Sequence, residues 1–507
     1  MRMQLQEKGG VMVTAVSLFT LFIILFAIVQ FATPGLVGND GYYHVKMGYL
    51  IRQEGLKPTF DVLPYTILNA ADFYDHHLLF HAYLSLFATV NPLQDGGAAL
   101  TESGKIASMI MPALAFMAIW WLLHKQCVPG AALWAIALFA VSEAFLYRMS
   151  MPRAQSASLL LLVLGLHWLL QGRYRLLIPL GFAYVWFYDA FPLLLAVGGV
   201  YVTAVLLLER RIVWQAIVYP ALGIALGLLI NPYFPQDLAF IIHHLLAKVG
   251  QSSTSVGVEW DPYYTSTILG NSGLALVAVL LGILALGWRK ERIDKSSLVA
   301  LGLMILFGYM LFESRRFVEY FPPFALIFLA LSAAPLLREW LVDWQEKWGR
   351  ERPFPKLRLS LLLLLLLALP LTITLRDARH LIDDSKPANL YTDAALWLAQ
   401  NSEPGTMIFQ TDWDDFTRLF FYNSNLVYTA GLDPTFMELH DKALFDVWRD
   451  ITQGNVDNPG AIIRDRFGAA FVFSDLNHSN FMKKAVSDPL LEEVYRTDDA
   501  VIYAVRP

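Results

Sequence analysis

Apolar runs of close to twenty residues, nearly free of charge, recur along the first three quarters of the chain and then stop. A helix needs roughly 20 such residues to cross the hydrocarbon of a bilayer. The runs at 11–33, 105–123, 130–147, 155–171, 174–188, 190–208, 213–230, 268–287, 296–313, 317–336 and 357–375 predict about eleven transmembrane helices. Two connections are long. The loop at 34–104 carries an amphipathic stretch, Asp40 to Glu54, and a short apolar piece, Leu78 to Val90, that ends at Asn91-Pro92 and is too short to span. The loop at 231–267 carries a second amphipathic stretch, Leu238 to Val249. The Leu78 to Val90 piece and the Leu238 to Val249 stretch are both expected to lie in the membrane interface.

Beyond the leucine run Leu361 to Leu367 the pattern changes. Short apolar segments at Thr406 to Gln410, Ala469 to Phe473 and Ala500 to Val505 read as strands, and Leu390 to Gln400 and Pro434 to Thr452 as helices. The expected fold class is therefore a polytopic α-helical membrane domain, residues 1–375, followed by a small α/β domain, residues 376–507.

Composition agrees with this pattern. With 56% hydrophobic and 16% charged residues, the chain has more apolar surface than a soluble fold hides, and it lacks the alternating segments of a membrane β-barrel. A single cysteine, Cys127, excludes an intramolecular disulfide. Val11 to Thr33 is longer than a signal-peptide core and reads as an uncleaved anchor, with cleavage after Ala32 as the alternative.

Charge sets the expected orientation. A cytoplasmic N-terminus places Arg2, Lys8, Lys125, Arg173, Arg175, Arg210, Arg211, Arg289, Lys290, Arg292, Lys295 and the Arg338 to Arg358 cluster inside, as the positive-inside rule requires. The terminal domain, with 12 Lys or Arg against 21 Asp or Glu, then lies outside. The expected location is the cytoplasmic (inner) membrane with an extracytoplasmic C-terminal domain. Nucleic acid is not an expected partner.

Against this orientation, Arg148, Arg153, Arg315 and Arg316 fall on the outer side. A guanidinium fork matches phosphate oxygens, so these arginines are candidates for holding a lipid phosphate, with snorkelling or pairing to Glu143, Glu313 or Glu319 as the alternative. Acids and histidines collect on the same side. Asp40 lies in G-N-D-G-Y-Y-H-V-K (Gly38 to Lys46), followed by Tyr42, Tyr43 and His44; Asp75, His76, His77 and His81 follow in the same loop. Asp40, Asp75, His76 and His77 have the chemistry to ligate a divalent metal. Asp189 sits in a short turn, as a substrate contact or a polar turn residue. The segment Ser252 to Tyr264 sets Glu259 beside Trp260, a carboxylate-and-aromatic pairing suited to sugars.

In order along the chain, an acid after the first span, a long first loop, an outward Tyr-Arg after the third span, a late loop with glutamate and a terminal α/β domain resemble the GT-C superfamily. Within it the chain looks most like oligosaccharyltransferase catalytic subunits and their bacterial relatives. The resemblance implies a glycosyltransferase at the outer membrane face. Its donor would be a polyprenyl-phosphate-linked sugar, with membrane lipid as surroundings and a saccharide, lipid or protein as acceptor. It implies Asp40 in the catalytic site, Glu259 in positioning the acceptor, and Arg148 with Arg316 as lipid-phosphate ligands; the outward placement of Arg153 and Arg315 adds these two to the expected phosphate ligands, and Asp40 and Glu259 are the expected catalytic residues. Tyr42, Tyr43, His44, Asp189 and Trp260 are the expected substrate contacts, and Mg or Mn the metal. Two departures stand out. The stretch after the third span reads Y-R-M-S-M-P-R-A-Q-S-A where the family carries an Asp-x-Asp pair. The sequon-reading Trp-Trp-Asp-Tyr-Gly motif is replaced by T-D-W-D-D-F at Thr411 to Phe416. A non-catalytic scaffold or transporter that binds lipid-linked saccharide is the alternative reading.

Overall fold

The computed structural model describes residues 2–249, 258–348 and 355–507. Ser252 to Gly257 and the middle of the Arg338 to Arg358 cluster lie outside the described residues. The chain divides into two compact units, one of residues 1–33, 108–227 and 257–385, the other of residues 34–107, 228–256 and 386–507.

The first unit is helical. Among the described residues, six helices are long and apolar enough to cross a membrane: Gly9–Gln30, Ala98–Lys125, Pro192–Glu209, Thr265–Trp288, Lys295–Glu313 and Phe321–Asp343. Counting one bent pair as a single span makes seven, so the expected eleven is not reproduced. Of the four remaining expected runs, 357–375 lies within the helix Pro355–Asp383, and the other three form helices that match their expected bounds within two residues. Gln155–Leu170, Tyr174–Phe187 and Gln215–Leu229 are apolar but stop short of a full crossing.

The bent pair matters for function. The expected single span at 130–147 is instead Ala131–Ala140 followed by Glu143–Ser150, turned by 91°. Ser142 is extended at the break, and its Oγ accepts from the Phe145 amide at 3.1 Å, capping the second piece. The same Oγ lies 2.9 Å from the Ser272 Oγ, and Ser272 is itself a non-helical residue within Thr265–Trp288. Two helix breaks thus share one hydroxyl pair, which helps satisfy backbone freed by the breaks. Elsewhere the helices approach closely at small residues. A Cβ on Gly223 would lie 2.1 Å from the Ile178 carbonyl oxygen, so only glycine admits that contact.

The second unit carries the sheet. Its strands are β1 (Met407–Gln410), β2 (Val427–Tyr428), β3 (Phe471–Asp475), β4 (Leu491–Arg496) and β5 (Ala500–Val505), in the order β2-β1-β3-β5-β4. β1 runs parallel to β2 and β3, while β5 is antiparallel to β3 and β4. The three expected strands are present within two residues. β2 and β4 escaped sequence reading because β2 is two residues long and β4, L-E-E-V-Y-R, is mostly polar. The expected helix at 434–452 is two, Pro434–His440 and Lys442–Thr452. Asp441 breaks the run by capping the second, accepting from the Leu444 amide at 3.0 Å. That helix buries Leu444, Phe445, Trp448 and Ile451 on one face, against a core that includes Phe409, Phe467 and Val472.

The amphipathic stretch after Asp40 is the helix Gly41–Glu54, and the apolar piece after it shortens to the helix Leu78–Ser85. Gly48 lets the two meet: a Cβ there would lie 2.7 Å from the Leu84 Cβ. Against the first of these packs the buried helix Phe416–Tyr422, where Tyr43 and Phe420 ring centroids are 5.7 Å apart.

Candidate functional site

Two concentrations of polar chemistry stand out, one in each unit. In the first unit the break at Ser142 aims the last turn of Glu143–Ser150, and Arg148 with it, at two acids. Arg148 donates from Nε to Glu319 Oε1 at 2.8 Å and from Nη1 to Glu259 Oε2 at 2.6 Å, and Nη2 also bonds Glu319. Glu319 is 1% exposed, so the pair is dry on that side. Arg153 approaches the same Glu259 oxygen at 3.5 Å. A turn of 3-10 helix, Val258–Trp260, carries Glu259, and another, Arg315–Glu319, carries Arg315, Arg316 and Glu319. Ser314 ties the two turns by donating to the Glu259 carbonyl at 3.1 Å, while the Arg315 amide donates to the Asp261 carbonyl at 3.0 Å. Arg316 donates to the Tyr188 hydroxyl at 2.8 Å and stacks its guanidinium 4.7 Å from the Trp260 ring centroid. Arg315 lies 5.3 Å from the Tyr263 ring. Asp189 acts on Arg316 and Tyr188 through its charge.

Electrostatics follow from this crowding. Burial would raise the Glu259 carboxyl, but the guanidinium charges of Arg153, Arg316 and Arg148 outweigh it and hold it far below the usual carboxylate range. Burial opposes the charge on Arg316, yet Tyr188, Glu259 and Glu319 push its proton affinity well above the ordinary value. Arg148, Arg153, Arg315 and Arg316 thus share one region with Glu259, Glu319 and Asp189. Arginine in such a dry, hydrogen-bonded setting suits phosphate oxygens. The pairing alternative for Arg148 also holds, with Glu319 as partner. Glu259 as a second partner was not anticipated, since beside Trp260 it reads as a sugar contact.

In the second unit Asp40 is the half-buried residue just before the helix Gly41–Glu54, and its side chain makes no capping hydrogen bond. Tyr42 is buried, with the Arg418 guanidinium 4.3 Å from its ring centroid and the Phe421 ring set edge-on at 5.1 Å. Asn39 donates to the Asp414 carbonyl at 2.7 Å and accepts from Arg418 at 2.9 Å. One turn beyond Asp40, buried His44 meets the histidines that flank Leu78–Ser85. His44 Nδ1 is 2.8 Å from His81 Nε2, and His81 Nδ1 is 2.8 Å from Asp75 Oδ2. Asp75 Oδ1 accepts from the His77 amide at 3.0 Å. Tyr43 packs edge-on to His44 and His81, and His76 stacks on Phe240 at 5.1 Å.

Of the expected metal set Asp40, Asp75, His76 and His77, only His77 enters a group with three ligand atoms mutually within 4.8 Å. The described residues hold two such groups, His44 with His77 and His81, and Asp412 with Asp475 and His478. The second sits at the ends of β1 and β3, and its His478 already bonds Asp475. Sequence reading passed over His478 because nothing near it in the chain is a ligand except Asp475. An oxygen-ligated Mg or Mn site of the kind the resemblance implies does not fit the stretch after the third span. Where that family has carboxylates, this chain has Arg148 and Arg153, both engaged with glutamates.

The fold is GT-C-like. The chain superposes on the apo oligosaccharyltransferase of Archaeoglobus fulgidus with a TM-score of 0.69 at 14% identity, covering 94% of this chain and 71% of that one. The oligosaccharyltransferase AglB of the same organism, in complex with an inhibitory peptide and a dolichol-phosphate, gives 0.66 at 13% identity over 94% and 71%. ArnT from Cupriavidus metallidurans bound to undecaprenyl phosphate gives 0.56 at 14% identity over 96% and 97%. No family model matches the chain, and no curated protein does.

Proposed function

We propose that the protein is an inverting membrane glycosyltransferase that moves a sugar or oligosaccharide from a polyprenyl-phosphate-linked donor to an acceptor at the outer face of the inner membrane. The observation that carries this reading is the cluster of Arg148, Arg153 and Arg316 around Glu259, a guanidinium-rich centre suited to a phosphate. The solved neighbours of this fold bound to dolichol-phosphate or undecaprenyl phosphate support a lipid-phosphate ligand.

In the proposed step the acceptor oxygen attacks the anomeric carbon of the sugar and its proton passes to Asp40. The bond from the anomeric carbon to the phosphate oxygen breaks, and its electron pair leaves with the lipid phosphate. Arg153 and Arg316, with Arg148 behind them, stabilise that developing charge. Glu259, gripped by Arg148 and Arg153, orients sugar or acceptor, and Trp260 offers an aromatic face for a sugar. Tyr42, Tyr43, His44 and Asp189 are proposed substrate contacts or supports. No step is routed through a metal.

The test uses purified protein and a short-chain polyprenyl-phosphate sugar, with released lipid phosphate as the readout. Asp40→Asn is expected to abolish transfer while the protein still inserts and folds; near-wild-type transfer by that variant overturns the assignment. Missing carboxylates after the third span favour a second reading, a scaffold that binds the saccharide without turnover. Tight donor binding with no phosphate release across several acceptors would establish that reading instead.

A further inference from the structure

Within the glycosyl-transfer reading the histidine group of the second unit takes part only through His44, and His77 and His81 have no role. We propose that His44, His77 and His81 bind a divalent first-row transition metal, best matched by Zn²⁺, with Asp75 as the carboxylate that orients His81. The proposal stands on this unit alone and does not depend on the transferase reading.

Three features carry it. The first is the donor set. One nitrogen from each histidine lies within 4.8 Å of the others, and all three side chains are buried, His44 at 4%, His77 at 9% and His81 at 0% exposure. Three imidazoles suit zinc, copper, iron or nickel, whereas Mg and Mn prefer oxygen ligands. The expectation of Mg or Mn is replaced here by a nitrogen-preferring ion.

The second is the tautomer. Asp75 is 1% exposed and as a carboxylate only accepts, so His81 Nδ1 carries the proton of their 2.8 Å bond. His81 Nε2 is then a lone pair directed at the other imidazoles. A carboxylate behind a ligating histidine is the arrangement that fixes the ring and raises its basicity in metal sites. Asp75 also takes the His77 amide at 3.0 Å, so one carboxylate steadies two of the three ligand residues.

The third is size. Metal–nitrogen bonds of about 2.0–2.1 Å in a tetrahedron put the nitrogens roughly 3.3 Å apart. The His44–His81 contact of 2.8 Å therefore opens by about half an ångström on loading, a small adjustment for side chains. Three protein ligands leave the fourth position to water, the pattern of an open zinc site. Tyr43, edge-on to two of the rings, and Phe80, edge-on to His44, keep bulk water from the ligands.

The experiment uses the full chain purified in detergent, stripped by chelator and reloaded with Zn²⁺ or Co²⁺. The expected result is one ion per chain by elemental analysis, unaffected by millimolar Mg²⁺, with intense tetrahedral Co²⁺ bands. His81→Gln and His44→Gln are expected to lose the ion. Asp75→Asn is expected to keep the stoichiometry but weaken affinity by roughly 10- to 100-fold, the range for loss of an outer carboxylate. Should the histidine variants fail to fold, zinc-edge absorption on the wild-type protein decides. Three imidazole neighbours at about 2.0 Å support the proposal. A spectrum of one imidazole with oxygen ligands assigns the ion to Asp412, Asp475 and His478 and overturns it. Failure of the wild type to retain stoichiometric Zn²⁺ or Co²⁺ also overturns it, leaving Asp75–His81–His44 as a hydrogen-bonded chain.

Discussion

The arginine centre of the first unit and the histidine centre of the second solve one problem, polar groups removed from water, by opposite means. Around Arg148 the groups are guanidinium and carboxyl, and each is answered by another: Glu319, Glu259 and Arg153 form one connected set. Around His81 the groups are imidazoles linked by hydrogen bonds, with Asp75 as the one carboxylate. A charged set attracts an ionic ligand of fixed sign and keeps its character over a wide pH range. An imidazole set offers lone pairs, which suit a metal, and metal binding there competes with protons.

The largest expected effect comes from removing the hub of the charged set. Arg148→Met leaves Glu319 buried without its partner, and loss of one member of a buried pair costs roughly 3–5 kcal/mol. Thermal unfolding in detergent should show this loss, and Glu319→Gln on the same background should recover part of it. No change in melting temperature would mean that the pair is not dry, and the contrast between the two centres would weaken.

Acid should separate the centres next. The carboxyl of Glu259 is depressed in the folded protein, so its contribution to stability is present above the unfolded value near 4.5 and is lost only as pH falls through the lower folded value. Metal affinity at three imidazoles falls as the ligands protonate. Between pH 7 and pH 5 the protein is thus expected to release most of a bound Co²⁺ while binding of a polyprenyl phosphate persists. Parallel loss of both would show that the centres share one titrating group.

The smallest effect concerns Trp260, which lies under the Arg316 guanidinium. Trp260→Leu removes a cation–π contact worth about 0.5–2 kcal/mol. A weakening of donor binding by a few-fold to about thirtyfold in a titration, with the fold intact, is the expected outcome. An effect beyond a hundredfold would place the indole against the substrate itself.

Much of the fold was legible in the sequence because its signals are local. Apolar runs marked the membrane helices, and period and turn residues marked the helix after Asp40 and three of the five strands. The helix count was only partly legible: at 130–147 the apolar pattern runs on through a serine break, while the run at 155–171 matches the helix Gln155–Leu170 to within a residue but is shorter than a full crossing. A hydropathy pattern reports what a segment prefers to be near, not how long it stays straight.

The sites divide in the same way. The chain alone marked Arg148, Arg153, Arg315 and Arg316 as exceptions to a charge rule, Asp40 and the Asp-His-His run as candidate ligands, and Glu259 beside Trp260 as a candidate sugar contact. It could not choose partners. That Arg148 takes Glu319 and Glu259, and that His44, His77 and His81 meet while Asp75 turns to His81 and to the His77 amide, was decided only by tertiary structure. Pairing energies depend on distance and burial in space, and neither is written in sequence separation. Sequence supplied the chemical types, and folding chose which charge answers which and which lone pairs face one another.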